Sequence, residues 1–183
     1  MVKESVNSEP LMQDCIERAQ QGDEDAFERV LDEYYDVMYR FAYKWCRNTE
    51  DAEDVTQQAC IKLANSISQF RFESAFSSWL YRLVINTAKD WSKSQARHQG
   101  EESTAAEEPA AKSDSESATY LQQVLRLLDG MAEGFKETAL LVFAEGWTHL
   151  EVAETLGIKE STVSWRIHEI RKQLKTMKKE GTL

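Results

Sequence analysis

The segment HQGEESTAAEEPAAKSDSES, residues 98–117, constrains this chain more than any other feature. Its residues are small, polar or acidic, with one Gly, one Pro and no large apolar side chain. Such a stretch buries too little apolar surface to offset the entropy of ordering it, so it is expected to be a flexible linker. The chain on either side must then build its own core. That predicts two small domains, residues 1–97 and 118–183. Hydrophobic residues make up 42% of the chain, enough to supply both cores.

Neither half shows β-alternation, and prolines occur only at Pro10 and Pro109. Helical periodicity dominates, which predicts an all-α fold. The expected helices of the first domain are 12–21, 24–47, 50–68 and 75–97. Gly22 with Asp23 separates the first pair, and Asn48 with Thr49 the second. Residues 69–74 connect the third helix to the fourth.

The end of the second domain, EGWTHLEVAETLGIKESTVSWRIHEIRKQL (145–174), reads as two short helices and a tight turn. Leu150, Val152, Ala153 and Leu156 supply an apolar face for the first. Gly157 then ends it, because glycine accepts the left-handed backbone of a helix exit. This is the sequence form of a helix-turn-helix, whose second helix can enter the major groove of DNA. On that helix Val163, Ile167, Ile170 and Leu174 share one face by helical spacing. The opposite face carries Ser161, Trp165, His168 and Lys172, flanked by Ser164, Arg166 and Glu169. Trp165 either meets bases and sugars, with Arg166, Arg171 and Lys172 on phosphates, or packs on a neighbouring helix.

The net charge of −10 disfavours nonspecific binding to nucleic acid. The charge is uneven, however. Acidic residues crowd the first sixty positions and 101–116, whereas residues 166–179 hold six Lys and Arg against Glu169 alone. Separate surfaces for separate partners follow.

The fourth helix of the first domain is expected to bury Phe76, Leu80, Leu83, Val84, Thr87 and Trp91, with Trp79 on the border. Ser78, Arg82, Ile85, Lys89 and Lys93 should face outward, with Tyr81 and Asn86 at the flanks. Rings interleaved with Arg and Lys suit single-stranded nucleic acid, in which bases stack while cations follow the backbone. In FRFESAF (70–76), Phe70 and Phe76 are expected in the core and Phe72 outside, where it could receive an unstacked base. The third helix has a polar side of Asp51, Asp54, Gln57, Gln58 and Asn65 around Ile61. That is either a docking patch with a wet rim or a solvated face with one stray apolar residue.

No catalytic constellation, metal-ligand spacing or glycine-rich phosphate loop can be assembled, so no enzyme activity, cofactor or small-molecule substrate is expected. Cys15, Cys46 and Cys60 read as reduced, buried thiols. No signal peptide or apolar run of bilayer length is seen, which predicts a cytoplasmic protein without membrane insertion.

Taken in order, four segments resemble the bacterial extracytoplasmic-function (ECF) sigma factors of the sigma-70 family. They are GDEDAFERVLDEYYDVMYRFAYKW (22–45), DAEDVTQQACIKL (51–63), FRFESAFSSWLYRLVINTAKDW (70–91) and the helix-turn-helix above. The resemblance implies a factor that binds core RNA polymerase through its β′ and β subunits and directs it to promoter DNA. It also implies control by an anti-sigma factor. Asp51, Glu53, Asp54, Gln57, Gln58 and Ile61 would lie on or beside the polymerase-docking face. Arg71, Phe72, Glu73 and Ser74 would form a loop that captures a flipped base of the −10 element. Trp79, Arg82, Asn86 and Lys89 would support melting or hold the non-template strand. Ser161, Thr162, Ser164, Trp165, Arg166, His168, Arg171 and Lys172 would read the −35 element. Ser164, Trp165 and Glu169 depart from the family's usual residues, which implies a −35 preference of this chain's own. The remaining alternatives are a helix-turn-helix regulator and a polymerase or anti-sigma adaptor that does not read promoters.

Overall fold

The computed structural model describes residues 8–101 and 116–180, and every regular element among them is helical. The chain divides into two compact units, Met1–Thr104 and Ala105–Leu183. Of the expected linker, 98–101 close a helix of the first unit and 116–117 open one of the second. The rest of it lies outside the described residues. Nothing at 98–101 sterically stops a helix already running, since Gly100 weakens a helix without breaking it.

The first unit contains α1 (Ser8–Gln20), α2 (Glu24–Cys46), α3 (Thr49–Ser66), a single 3-10 turn (Ile67–Gln69) and α4 (Phe76–Glu101). Its boundaries are set by side chains. Asp23 accepts the Ala26 amide at the start of α2 and takes the Arg18 guanidinium at 2.6 Å. The amide first, then Arg18, holds the Asp23 carboxyl below its ordinary range. Asn48 accepts the Asp51 amide and starts α3. Between α2 and α3 only Arg47 and Asn48 remain, and Arg47 takes the left-handed conformation that lets the chain reverse. The two helices therefore run antiparallel, and α4 packs on both.

The core they share is built from Met38, Phe41 and Ala42 of α2, Val55, Ala59 and Leu63 of α3, and Leu80, Val84 and Ala88 of α4. Buried Thr56 and Thr87 donate to carbonyls one turn back, at 2.7 and 2.8 Å, so neither hydroxyl is left bare. The expected facing of α4 is corrected. Ile85, expected outside, is 2% exposed, and Tyr81 is buried against Phe41. Leu83 and Trp91, expected inside, are half-buried. With α2 and α3 both covering it, α4 buries a face centred on Tyr81, Val84, Ile85 and Ala88, which rotates Leu83 toward the surface. Of the thiols, only Cys15 is buried, while Cys46 and Cys60 are half-buried.

The second unit contains α5 (Glu116–Gly130), α6 (Phe135–Ala139), a π-helical turn (Leu140–Ala144), α7 (His149–Leu156) and α8 (Glu160–Lys179). Helix α7 opens with a capping box. Thr148 accepts the Glu151 amide, and the Glu151 carboxylate accepts the Thr148 amide and hydroxyl at 2.7 Å. Those two bonds hold the Glu151 carboxyl below its ordinary range. Gly157 ends α7 with φ 66°, and Ile158 donates back to Ala153, closing the turn before α8. Val152 and Ala153 of α7 meet Val163, Ile167 and Ile170 of α8 in the core. Leu150, expected on that apolar face, is instead 53% exposed. It lies about 200° around the helix from Val152, and buried Thr155 takes part of its place.

Candidate docking and nucleic-acid interfaces

On α3, Glu53, Asp54, Gln57, Gln58 and Ile61 all face away from the core and are exposed. Asp54, Gln57, Gln58 and Ile61 fall at i, i+3, i+4 and i+7, which aligns them in one stripe. Ile61 is 57% exposed at the end of that stripe. Asp51 differs from the others. It is half-buried, and its carboxylate accepts from the Asn48 side-chain amide, so it serves the start of its own helix. Burial, and then the neighbouring Asp54 and Glu50 carboxylates, push its pKa up.

The loop after the 3-10 turn exposes Arg71, Phe72, Glu73 and Ser74 together. Phe72 has φ 57°, a left-handed conformation that costs an aromatic residue about 1–2 kcal/mol. The expectation for its neighbours holds: Phe70 and Phe76 are buried, with rings 5.1 Å apart and edge-on. The Phe72 ring lies 4.7 Å from Phe70 and is 40% exposed, so the buried pair supports an open one. A cleft of about 580 Å³ opens beside Phe72, between this loop, α1 and the start of α4.

Trp79, Arg82 and Asn86 converge on a second concavity, a groove of about 470 Å³ between α3 and α4. Trp79 extends the aromatic cluster, 5.6 Å from both Phe70 and Phe76. Lys89 is half-buried and is not in the lining of the groove. The opposite wall is Lys62, Asn65, Ser66 and Gln69, which sequence reasoning missed or, for Asn65, placed on the docking side. The signal was present. Positions 62, 65, 66 and 69 repeat the i, i+3, i+4, i+7 spacing of 79, 82, 83 and 86. Lys62 is also held to Asp90 at 2.8 Å.

On α8, Ser161, Ser164, Trp165, His168, Arg171 and Lys172 are exposed, and Thr162 is half-buried. Trp165 packs on a neighbouring helix and is also open to solvent. It is 56% exposed, yet it meets Phe135 edge-on at 5.4 Å. Ser164 hydrogen-bonds His149 of α7 at 2.9 Å, tying the two helices of the motif together. Arg171 lies 5.8 Å from the Phe143 ring centre, and Lys172 meets Glu169 at 3.5 Å.

Arg166, expected on phosphates, turns inward instead. Its guanidinium donates to the Gly134 carbonyl at 3.0 Å and to the Thr138 hydroxyl at 3.1 Å. Gly134 is buried with φ 100°, and a Cβ there would overlap the guanidinium. Glycine at 134 thus makes room for an arginine that fixes α8 against α6. Among the described residues no cluster of His, Cys, Asp or Glu could hold a metal ion. No helix there is long and apolar enough to cross a membrane.

Known proteins resemble this chain in both of its units. Residues 30–98 match the family described as Sigma-70 region 2, and residues 121–174 match Sigma-70, region 4. The ECF RNA polymerase sigma factor SigW of Bacillus subtilis is 29% identical over 190 residues, covering 92% of this chain and all of the relative. The fold is that of RpoE from Bartonella quintana, solved with the anti-sigma factor NepR. It is 20% identical with a TM-score of 0.61, covering 84% of this chain and 96% of that one. CnrH, solved with the cytosolic domain of CnrY, is also 20% identical, with a TM-score of 0.64, covering 91% and 96%. With both regions in order on two helical units, the chain belongs to the sigma-70 family of RNA polymerase sigma factors, in its ECF group.

Proposed function

We propose that this sigma factor divides its work among three surfaces. The α3 stripe of Asp54, Gln57 and Gln58, flanked by Glu53 and ending at Ile61, docks on core RNA polymerase. The 71–74 loop and the α3/α4 groove capture and hold the unpaired −10 strand. The α8 stripe of Ser161, Ser164, Trp165, His168 and Lys172 reads the −35 element, with Arg171 beside it. Asp51 and Arg166 support these surfaces from within: Asp51 shapes the start of α3, and Arg166 seats α8.

The observation that carries the reading is the first unit's open aromatic and cationic surface. Phe72 stands exposed on a buried ring cluster, and Trp79, Arg82 and Asn86 share one concavity with Lys62. Stacking faces beside cations suit single-stranded DNA, and each stacked base contributes about 1–3 kcal/mol. The factor would bind and position nucleic acid without a reaction of its own. It would work wherever core polymerase does, in the cytoplasm. An anti-sigma factor is its expected regulator, since RpoE was solved with one.

Run-off transcription with the purified chain and core polymerase, on promoters selected from genomic DNA, tests this reading. Specific initiation that is lost in Phe72→Ala and Trp79→Ala supports it. Core binding without initiation on any template would mark an adaptor. Absence of core binding would leave a DNA-binding regulator.

A further inference from the structure

Helix α1 lies outside the matched region 2 segment, which begins at residue 30. Yet α1, which packs mainly on α2, is tied to the chain just before the 71–74 loop and shares a cleft with that loop. Gln20, at the end of α1, donates from its single amide nitrogen to two carbonyls, Ile67 O at 2.9 Å and Phe70 O at 2.7 Å. Both N–H groups are used, so the amide is fixed in orientation. Phe70 O belongs to the residue that leads into Arg71 and Phe72. The clamp therefore sets where the loop leaves the 3-10 turn, two residues before the left-handed Phe72.

One turn and more upstream, Met12, Gln13 and Ile16 of α1 line the cleft whose other wall includes Phe72, Ser74 and Phe76. At about 580 Å³ it has the size of a small-molecule site. Its lining has the composition a nucleobase needs, rings and apolar side chains with a few polar groups among them. One of those polar groups is Gln13, which gives an N–H to Glu17 at 2.9 Å. That bond leaves Gln13 a carbonyl oxygen and a second N–H with which to meet the edge of a base.

We infer that α1 is the second wall of the pocket for the extruded −10 base, with Gln13 as a specificity-determining residue and Gln20 as the positioning residue. This rests on the reading of residues 71–74 as the base-capturing loop. With an acceptor and a donor at the cleft, Gln13 can hydrogen-bond the pairing edge of one base better than those of the others.

The test uses the full chain bound to core polymerase and fluorescent single-stranded −10 oligonucleotides, with each base placed in turn at every position. Gln20→Leu removes the clamp and keeps the volume; it should weaken oligonucleotide binding about tenfold. Gln13→Ala, at an exposed position that folding does not need, should flatten the base preference at one position by about threefold or more. Affinity for core polymerase should stay unchanged in both. Phe72→Ala separates the two layers of the argument. If it abolishes binding while both glutamine variants keep wild-type affinity and base ranking, the loop works without α1 and the inference is wrong. If Phe72→Ala binds normally, the loop is not the site, and the inference falls with it.

Discussion

Gly134 and Arg166 are 32 positions apart, and neither explains itself alone. Gly134 is buried at φ 100°, and the space its missing Cβ leaves is filled by the Arg166 guanidinium. Gly134→Ala meets both problems at once, a backbone that disfavours L side chains and an overlap with a hydrogen-bonded cation. The substitution should lower the stability of the second unit by about 2 kcal/mol, read as a fall in its unfolding midpoint. Unchanged stability would show that Arg166 is free to leave. Ile61 poses the opposite problem, a large apolar side chain that its own fold leaves 57% exposed. Ile61→Ala should leave the unfolding midpoint alone and weaken core polymerase binding about tenfold, near 1.4 kcal/mol. Equal affinity in a binding titration would reduce Ile61 to a stray apolar residue.

At the scale of elements, the starts of α2 and α3 respond to pH with opposite signs. Asp23 has a depressed pKa, so its stabilising contribution is present above the unfolded value of about 3.9 and is lost as pH falls through the folded value. Asp51 has a raised pKa. Its contribution is greatest where it is protonated and is lost as pH rises through the folded value. Asp23→Asn keeps a helix cap but gives up the Arg18 pair, so it should be less stable than wild type at neutral pH. Asp51→Asn should be more stable. Both differences should shrink toward acid, as seen in urea unfolding across pH. The same elements show what was legible in the sequence. Gly22–Asp23, Asn48 and Gly157 are local signals, and the helix boundaries they mark lie within a few residues of expectation. The facing of α4 was not legible, because two helices cover it and spacing alone cannot tell how wide a face they bury. The α6 segment went unseen because it is five residues long and continues into a π turn. Arg166 and Gln20 were missed as internal ties because their partners lie 28 or more positions away along the chain.

For the whole molecule, the question is how a chain of net charge −10 selects DNA. Helix α8 is its most cationic element, yet Arg166 points inward, and the exposed Arg171 and Lys172 of the −35 surface share it with Phe143 and Glu169. About three phosphate contacts are then available to the isolated chain. At about 0.9 per phosphate, log affinity for a −35 duplex should fall against log salt with a slope near −3. Binding at physiological salt should be weak and poorly selective. Core polymerase changes the situation by holding both units on one promoter, so that two weak contacts act together at high effective concentration. Fluorescence anisotropy of duplex DNA against salt, for the chain alone and for the complex with core, measures both halves of this statement. Tight, promoter-selective binding by the chain alone, with a slope of about −6 or steeper, would show that α8 presents more cations to DNA than this structure allows. A shallow slope alone, with selectivity appearing only on adding core, would assign the acidity a role. It would keep the free factor off the chromosome until polymerase carries it there.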